Sequence, residues 1–348
     1  MTGKDWSDGG ILAAAMDRWE CPGLSLASIR GFEIEWQAQV GWADAGRSRP
    51  CGPETTFQAA SISKAVFATL VMGLVESGVL DLDLPVGGYL GDWGLSPELG
   101  AVTLRDLLGH TASTTIHGFP GYPPGKPLPG IRSIVEGSGS ANTAPVQAVG
   151  LAGRRFAYSG GGIMVAQAAV EAATGRTLPE LAQERLLGPL DMKASHFEQP
   201  PDPSRAWEAA EGHVGGLPLA GGWNNYPELA AAGLWTSAAD LAAFGIAVLR
   251  CRQGLPSPLV LSQATARMMT EARFKDQGAD RLSPGLGWFC HGEGDDRTFG
   301  HRGANEGYLA QLCLRPKDGS GLVFLANSSD AFPLLAEMLD DYGFSQAL

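Results

Sequence analysis

A serine and a lysine stand three residues apart at the start of an apolar stretch, in Ser61-Ile62-Ser63-Lys64. Residues three apart share one face of a helix, so Ser61 Oγ and Lys64 Nζ are expected to meet. A serine hydroxyl becomes a good nucleophile when a base takes its proton, and a lysine can be that base when burial or a nearby cation lowers its pKa. A capping serine beside a solvated lysine is the other explanation of this pair.

A tyrosine and a histidine in two later motifs are candidates for the rest of a proton-transfer site. Tyr158 precedes Ser159 and three glycines at the start of a predicted helix, where a tight turn would project its phenol into a cleft. His301 lies in the predicted strand "GHRGANEGY", residues 300–308. The alternatives are a core tyrosine next to a glycine turn and a strand histidine that only makes structural hydrogen bonds.

The same strand offers contacts for a substrate. Gly303 is expected to let a substrate backbone lie close, because it has no side chain. The amides of Ala304 and Ser61 are then candidate donors to an oxyanion. Arg302 is either an anchor for a carboxylate or phosphate group or a solvated strand residue.

Aromatic residues in two loops are candidates for the lining of an acyl pocket, although packing explains them equally well. They are Phe119 and Tyr122 in "HGFPGYPPG", and Trp223, Tyr226 and Trp235 in "GGWNNYPELAAAGLW". His110 and Ser113 in "GHTAS" are expected either to border the cleft or to make hydrogen bonds at a helix end. Three further histidines, His196, His213 and His291, lack the spacing of metal ligands, so neither a metal nor a cofactor is expected.

The elements that must position these residues follow from periodicity. Apolar residues with helical spacing follow Lys64 up to Gly78, a helix stop. Two β-rich runs near the N-terminus and several near the C-terminus enclose a middle rich in helical patterns. The segment 117–147 is rich in Pro and Gly but poor in charge, which predicts an ordered irregular loop.

This arrangement predicts an α+β fold, in which one antiparallel sheet is built from both termini and flanked by helices, with a mainly helical region inserted. The predicted sheet domain comprises residues 1–60 and 251–348, and the helical domain residues 61–250. The active site is expected at their interface.

Composition excludes several function classes. The net charge of −12 over 348 residues disfavours nucleic acid and anionic membrane surfaces as partners. The five cysteines are scattered, which predicts reduced, buried thiols. The N-terminal stretch shows no secretory pattern and no apolar run reaches membrane-spanning length, so a cytoplasmic protein is expected.

The three motifs, in the order SxxK, YSG and HRG, resemble the serine β-lactamase and penicillin-binding-protein superfamily on its class C side. Phrases such as "LRDLLGHTAS", "LLGPLDM" and "AAGLWTSAADLAAF" extend the resemblance over about residues 55–310. It implies a β-lactamase/transpeptidase-like fold and an acyl-enzyme mechanism. Ser61 would be the nucleophile and Lys64 its base. Tyr158 would be a proton relay to the leaving group and a candidate base for deacylation. His301 would replace the family's KTG lysine, tuning Tyr158 and orienting the substrate.

Departures from the family pattern narrow the expected activity. Gly160 replaces a common asparagine, and His301 replaces a lysine; both favour an esterase-like enzyme over an efficient β-lactamase. We therefore expect a carboxylesterase-like hydrolase of small esters or amides. The alternatives are an acyltransferase that uses an amine or alcohol acceptor in natural-product biosynthesis, a D-amino-acid peptidase or amidase, a weak β-lactamase, and a non-catalytic sensor that stays acylated.

Overall fold

The computed structural model describes residues 4–272, 283–292 and 294–347. Its strands are β1 Gly23–Arg30, β2 Glu33–Gly41, β3 Phe57–Gln58, β4 His213–Val214, β5 Leu217–Pro218, β6 Trp235–Thr236, β7 Ser283–Pro284, β8 Phe289–His291, β9 Thr298–Asn305, β10 Tyr308–Arg315 and β11 Ser320–Ala326. Its α-helices are α1 Gly9–Arg18, α2 Ile62–Glu76, α3 Gly87–Leu90, α4 Pro97–Gly100, α5 Leu104–Leu108, α6 Ile131–Glu136, α7 Gly160–Thr174, α8 Leu178–Ala182, α9 Leu229–Ala232, α10 Ala238–Gln253, α11 Gln263–Met269 and α12 Phe332–Asp341.

Seven of the described strands form one antiparallel sheet in the order β2-β1-β11-β10-β9-β8-β7. The N-terminal hairpin therefore pairs with the last strand, as the sequence predicts for a sheet built from both termini. Gly31 and Phe32 turn this hairpin with positive φ angles of 59° and 66°. The short strands β3 and β6 pair with each other outside this sheet.

Apolar side chains cover both faces of the large sheet. On one face, α1 and α12 bury residues such as Leu12, Leu335 and Met338 against Phe324. On the other face, α10 and α2 pack against the sheet, and a continuous core extends from them to α7. Helix α10 thus lies on the sheet although most of it falls within the predicted helical domain 61–250. The division into two domains stays a prediction.

Local predictions from the sequence agree with the described elements. Helix α2 ends before Gly78, whose φ of 70° suits a glycine after a helix. The segment 117–147 is irregular apart from the short helix α6. All five cysteines are free and buried, which confirms the predicted thiols. Among the described residues, no helix combines the length and apolar character needed to cross a bilayer.

Candidate active site

Ser61 lies where the chain turns sharply from β3 into α2. Ala60 has a φ of 49°, an uncommon conformation for a residue with a side chain, and Ser61 follows in a helical conformation. The Ser61 side chain makes no capping hydrogen bond, and it remains partly exposed. The capping alternative for Ser61 is therefore wrong, and its hydroxyl is free to react.

Lys64 lies one helical turn beyond Ser61 and only 2% of it is exposed. Its Nζ is 2.9 Å from Ser61 Oγ and donates to the carbonyl of Ala231 at 2.7 Å. The same Nζ lies 5.1 Å from the centroid of the Tyr158 ring. The solvated-lysine alternative is wrong, because Lys64 is buried and the Ala231 carbonyl holds its amine beside Ser61 Oγ.

Tyr158 reaches the site from the turn before α7, and Ser159 fixes that turn. Ser159 Oγ accepts from the amide of Gly162 at 2.9 Å and donates to the carbonyl of Thr115 at 2.7 Å. The Tyr158 ring is partly exposed, and its hydroxyl forms no hydrogen bond with any described residue. A tyrosine buried in the core would have been packed on all sides, so this arrangement supports a phenol that faces the cleft.

His301 is a buried neutral base on β9. Nδ1 lies 2.6 Å from the carbonyl of Arg302, so Nδ1 must carry the hydrogen and Nε2 is left as an acceptor. Nε2 is buried and has no partner among the described residues. Burial, helped by the charge of Lys64, lowers the His301 pKa to about 3. His301 therefore differs from a KTG lysine in charge: it offers a hydrogen-bond acceptor instead of a cation.

His110 is a second buried imidazole beside Tyr158, with its ring centroid 4.5 Å from the Tyr158 centroid. Its Nδ1 accepts the amide hydrogen of Ser159 at 3.3 Å, so Nε2 carries its hydrogen. Burial and the charge of Lys64 lower its pKa well below the ordinary value. Of the two alternatives for His110, the structure shows the hydrogen bond, and this bond holds the turn that presents Tyr158.

The strand β9 lies directly against the segment that leads to Ser61. A Cβ atom added to Gly303 would lie 2.0 Å from the Ala59 carbonyl oxygen. The sequence predicts that Gly303 lets a substrate backbone lie close. The structure corrects this prediction, because the backbone next to Gly303 is that of Ala59. Asn305 reinforces this contact by donating to Gln58 Oε1 at 2.7 Å. Residue Ala304, between them, is exposed.

The amides of Ser61 and Ala304 remain the predicted oxyanion donors. No described residue accepts the Ser61 amide hydrogen, as is usual at the start of a helix. The close approach of Gly303 to Ala59 places the two segments side by side. This arrangement supports the predicted pairing of the Ser61 and Ala304 amides.

Arg302 does not belong to the site, and both alternatives for it are corrected. Successive side chains of a strand point to opposite faces, so Arg302 points away from the face of His301 and Gly303. Its guanidinium donates to Gln311 and to the carbonyl of Ala347, and it lies over the ring of Phe332. Arg302 ties the sheet to the C-terminal residues.

Three of the five predicted pocket aromatics are buried packing residues. Trp235 is fully buried and packs edge-to-face on Tyr308 and Trp223. Tyr122 is 4% exposed, and its hydroxyl accepts from the amide of Asn142. Both are corrected to packing residues, because neither ring is accessible to a substrate. Tyr226 and Ser113 are buried as well. Phe119 and Trp223 stay partly exposed and remain candidates.

Glu228 is a buried carboxyl group that the sequence does not reveal. It immediately precedes α9, which supplies the Ala231 carbonyl that holds Lys64. Glu228 is fully buried, and neither of its carboxylate oxygens has a partner among the described residues. Burial raises its pKa to about 7 from 4.5. A glutamate before a short helix is ordinarily an exposed residue, so its sequence gives no signal.

Replacing Glu228 by glutamine is expected to stabilise the protein above pH 7 and to have little effect below pH 4.5. The raised folded-state pKa means that the unfolded chain loses this proton first as the pH rises, so wild-type stability falls between these two values. The shift corresponds to about 3 kcal/mol at higher pH. Urea unfolding of both proteins across this range measures the difference. Glu33→Gln, on an exposed strand position, is the control, and equal pH profiles for wild type and Glu228→Gln would refute the burial argument.

Comparison with known proteins places this geometry in a family. The model of the Beta-lactamase family matches residues 10–340. The unguisins hydrolase ungD' of Aspergillus campestris is 25% identical over 92% of this chain, which spans only 61% of that relative's length. Penicillin-binding protein 4 of Amycolatopsis lactamdurans is 26% identical over 91% of this chain and 84% of its own.

A solved structure is similar to this chain in fold. SurE with D-Leu superimposes with a TM-score of 0.77 and 27% identity, over 97% of this chain and 75% of that one. The predicted α+β, β-lactamase/transpeptidase-like fold is confirmed. Because the family model covers nearly the whole sequence and the Ser61–Lys64 pair has the expected geometry, the chain belongs to the Beta-lactamase family.

Proposed function

We propose that the protein is a carboxylesterase-like hydrolase that forms an acyl-enzyme on Ser61 and releases the acyl group to water. The observation that carries this proposal is the 2.9 Å contact between Ser61 Oγ and the buried Nζ of Lys64. In the reaction, Lys64 takes the serine proton as Oγ attacks the ester carbonyl. That proton then passes to the departing alcohol, with the Tyr158 phenol as the relay.

The charge of the site favours an uncharged ester as the substrate. A KTG lysine offers a cation to a substrate carboxylate, whereas His301 stays neutral because its pKa is lowered to about 3. The side chain of Arg302 lies on the other face of the sheet. Phe289 and His301 instead form an aromatic wall, with ring centroids 5.0 Å apart. A neutral acyl group loses less hydration in such surroundings than a carboxylate does.

Gly160 supports the same substrate class. A Cβ atom at this position would lie 2.9 Å from the Phe119 ring and 3.2 Å from the carbonyl of His117. The segment that carries Phe119 therefore occupies the space that a longer side chain at position 160 would need. An amide-binding asparagine here would require the Phe119 ring and the His117 carbonyl to shift, and the glycine itself offers no amide contact, which argues against efficient turnover of β-lactams and peptides.

Turnover of matched nitrophenyl esters tests the proposal. One ester has a neutral acyl chain, and the other carries a carboxylate on the same chain. The neutral ester is expected to turn over faster, and mass spectrometry of quenched reactions should place the acyl group on the peptide that contains Ser61. Preference for the charged ester would overturn the substrate class. A labelled enzyme that never turns over would indicate the acylated sensor.

Acyl transfer is the second candidate, because SurE, which shares 27% identity over most of this chain, was solved with D-Leu. The same reaction run with added D-leucine amide separates the two functions. A hydrolase yields the free acid at every amine concentration. Conversion of most acyl groups to the amide would establish an acyltransferase instead.

A further inference from the structure

Three histidines surround Tyr158, and they differ in their exposure. The ring centroid of Tyr158 lies 4.5 Å from that of His110, 4.8 Å from that of His117 and 6.4 Å from that of His301. His110 and His301 are each only 3% exposed, whereas His117 is exposed to solvent. Two of the three imidazoles beside Tyr158 are therefore buried, and the third, that of His117, reaches solvent.

The two buried imidazoles are poorly suited to carry a proton. Each has its Nδ1 engaged with a backbone group, His110 with the Ser159 amide and His301 with the Arg302 carbonyl. Burial and the charge of Lys64 lower the pKa of both, so a second proton on either ring is strongly disfavoured. They can orient neighbours, but they cannot shuttle protons to solvent.

His117 differs from these two histidines in its exposure and in the hydrogen bonds of its ring. Its backbone is fixed, because its carbonyl accepts the amide hydrogen of Gly160 at 3.0 Å. Its ring nitrogens form no hydrogen bond with any described residue, and solvent reaches the side chain. The imidazole thus lies beside Tyr158, with its ring centroid 4.8 Å from that of the tyrosine, and is open to a nucleophile that arrives from solvent.

We propose that His117 is a catalytic base for the second half of the reaction, which accepts the proton of the water or amine that attacks the acylated Ser61. This inference rests on the proposed acyl-enzyme function and assigns a step of it. The ligand class is a small protic nucleophile that approaches from solvent.

The step balances without any further reagent. As the water oxygen, or an amine nitrogen in its place, bonds to the acyl carbon, its proton passes to His117 and the carbonyl electron pair moves onto the oxygen that faces the Ser61 and Ala304 amides. This oxyanion then re-forms the carbonyl as the bond between the acyl carbon and Ser61 Oγ breaks, and Oγ takes a proton from the Tyr158 phenol. The proton on His117 restores that phenol. One water is consumed, and one carboxylic acid is released.

Substitution of His117 by alanine and by phenylalanine tests this role. Phenylalanine keeps the ring packing on Tyr158 but cannot accept a proton. In both variants, the rate of acylation should be retained while deacylation slows by roughly 100-fold or more, the usual scale of a lost general base. Quenched reactions should therefore show accumulated acyl-enzyme. Added imidazole should restore deacylation in His117→Ala, where it has space, but not in His117→Phe.

The outcomes separate this inference from the proposed function. A phenylalanine variant that deacylates at the wild-type rate would show that His117 only packs on Tyr158, and would overturn the inference. So would equal losses of acylation and deacylation, which indicate a structural role. If the wild-type enzyme forms no adduct on Ser61 at all, the acyl-enzyme function itself fails.

Discussion

Replacing Ser61 by alanine is expected to abolish covalent labelling by an activated ester or a phosphonate while leaving the free energy of unfolding nearly unchanged. Ser61 makes no capping hydrogen bond, and the contact that its hydroxyl loses is the one from Lys64 Nζ, which keeps the Ala231 carbonyl as an acceptor. Intact-mass spectrometry measures the labelling, and urea unfolding measures the stability. Labelling of Ser61→Ala at the wild-type rate would show that another residue is the nucleophile.

Ser63 provides the matched control, because it is a buried serine only two residues away. Its Oγ donates to the Ala60 carbonyl and accepts from the Leu234 amide at 3.0 Å. Ser63→Ala leaves that amide without its acceptor in the interior, which is expected to cost about 1–3 kcal/mol of stability. Labelling should persist in Ser63→Ala. The two variants thus separate reactivity from stability at neighbouring positions.

Replacing Lys64 by methionine is expected to lower the rate of acylation by roughly 100- to 10,000-fold, the range observed for loss of a general base. The Ser61 hydroxyl remains in place but loses the amine 2.9 Å away. Methionine suits the buried, apolar path of the lysine stem and can be accommodated in the core. Stopped-flow release of nitrophenol gives the acylation rate directly.

Lys64→Arg distinguishes a base from a fixed positive charge. Arginine keeps a cation next to Ser61 but is not deprotonated in proteins, so it cannot take the serine proton. A base role predicts that both variants acylate slowly. If Lys64→Arg acylates at close to the wild-type rate, the charge of Lys64 and not its basicity assists Ser61, and the assigned step is wrong.

Much of the site could be predicted because its parts are local or ordered along the chain. The spacing of Ser61 and Lys64 fixes their contact within one helical turn, and the contact is observed. The alternation of side chains along a strand also predicts the position of Arg302. Side chains 301 and 303 lie on one face of the sheet, and side chain 302 lies on the other. That alternation was a stronger signal than the chemistry of the guanidinium group.

The remaining errors concern burial, which depends on contacts between distant segments. An aromatic ring in a loop suits both a pocket and a core, and only the pairing of β6 with β3 shows that Trp235 is enclosed. Glu228 gives no local sign of its environment for the same reason. The distinction between His110 and His117 likewise follows from which of them the surrounding elements cover.

The position of the N-terminal hairpin in the sheet has a consequence for synthesis of the protein on the ribosome. Strand β1 pairs with β11, so one of its edges has no partner until residues 320–326 have been made, about 290 residues later. An unpaired edge invites aggregation, and such non-local pairing folds slowly. Ser61, Lys64 and Tyr158 also emerge long before β9 brings His301 and Ala304. A nascent chain therefore holds the proposed nucleophile, Ser61, well before it holds the strand that completes the candidate site.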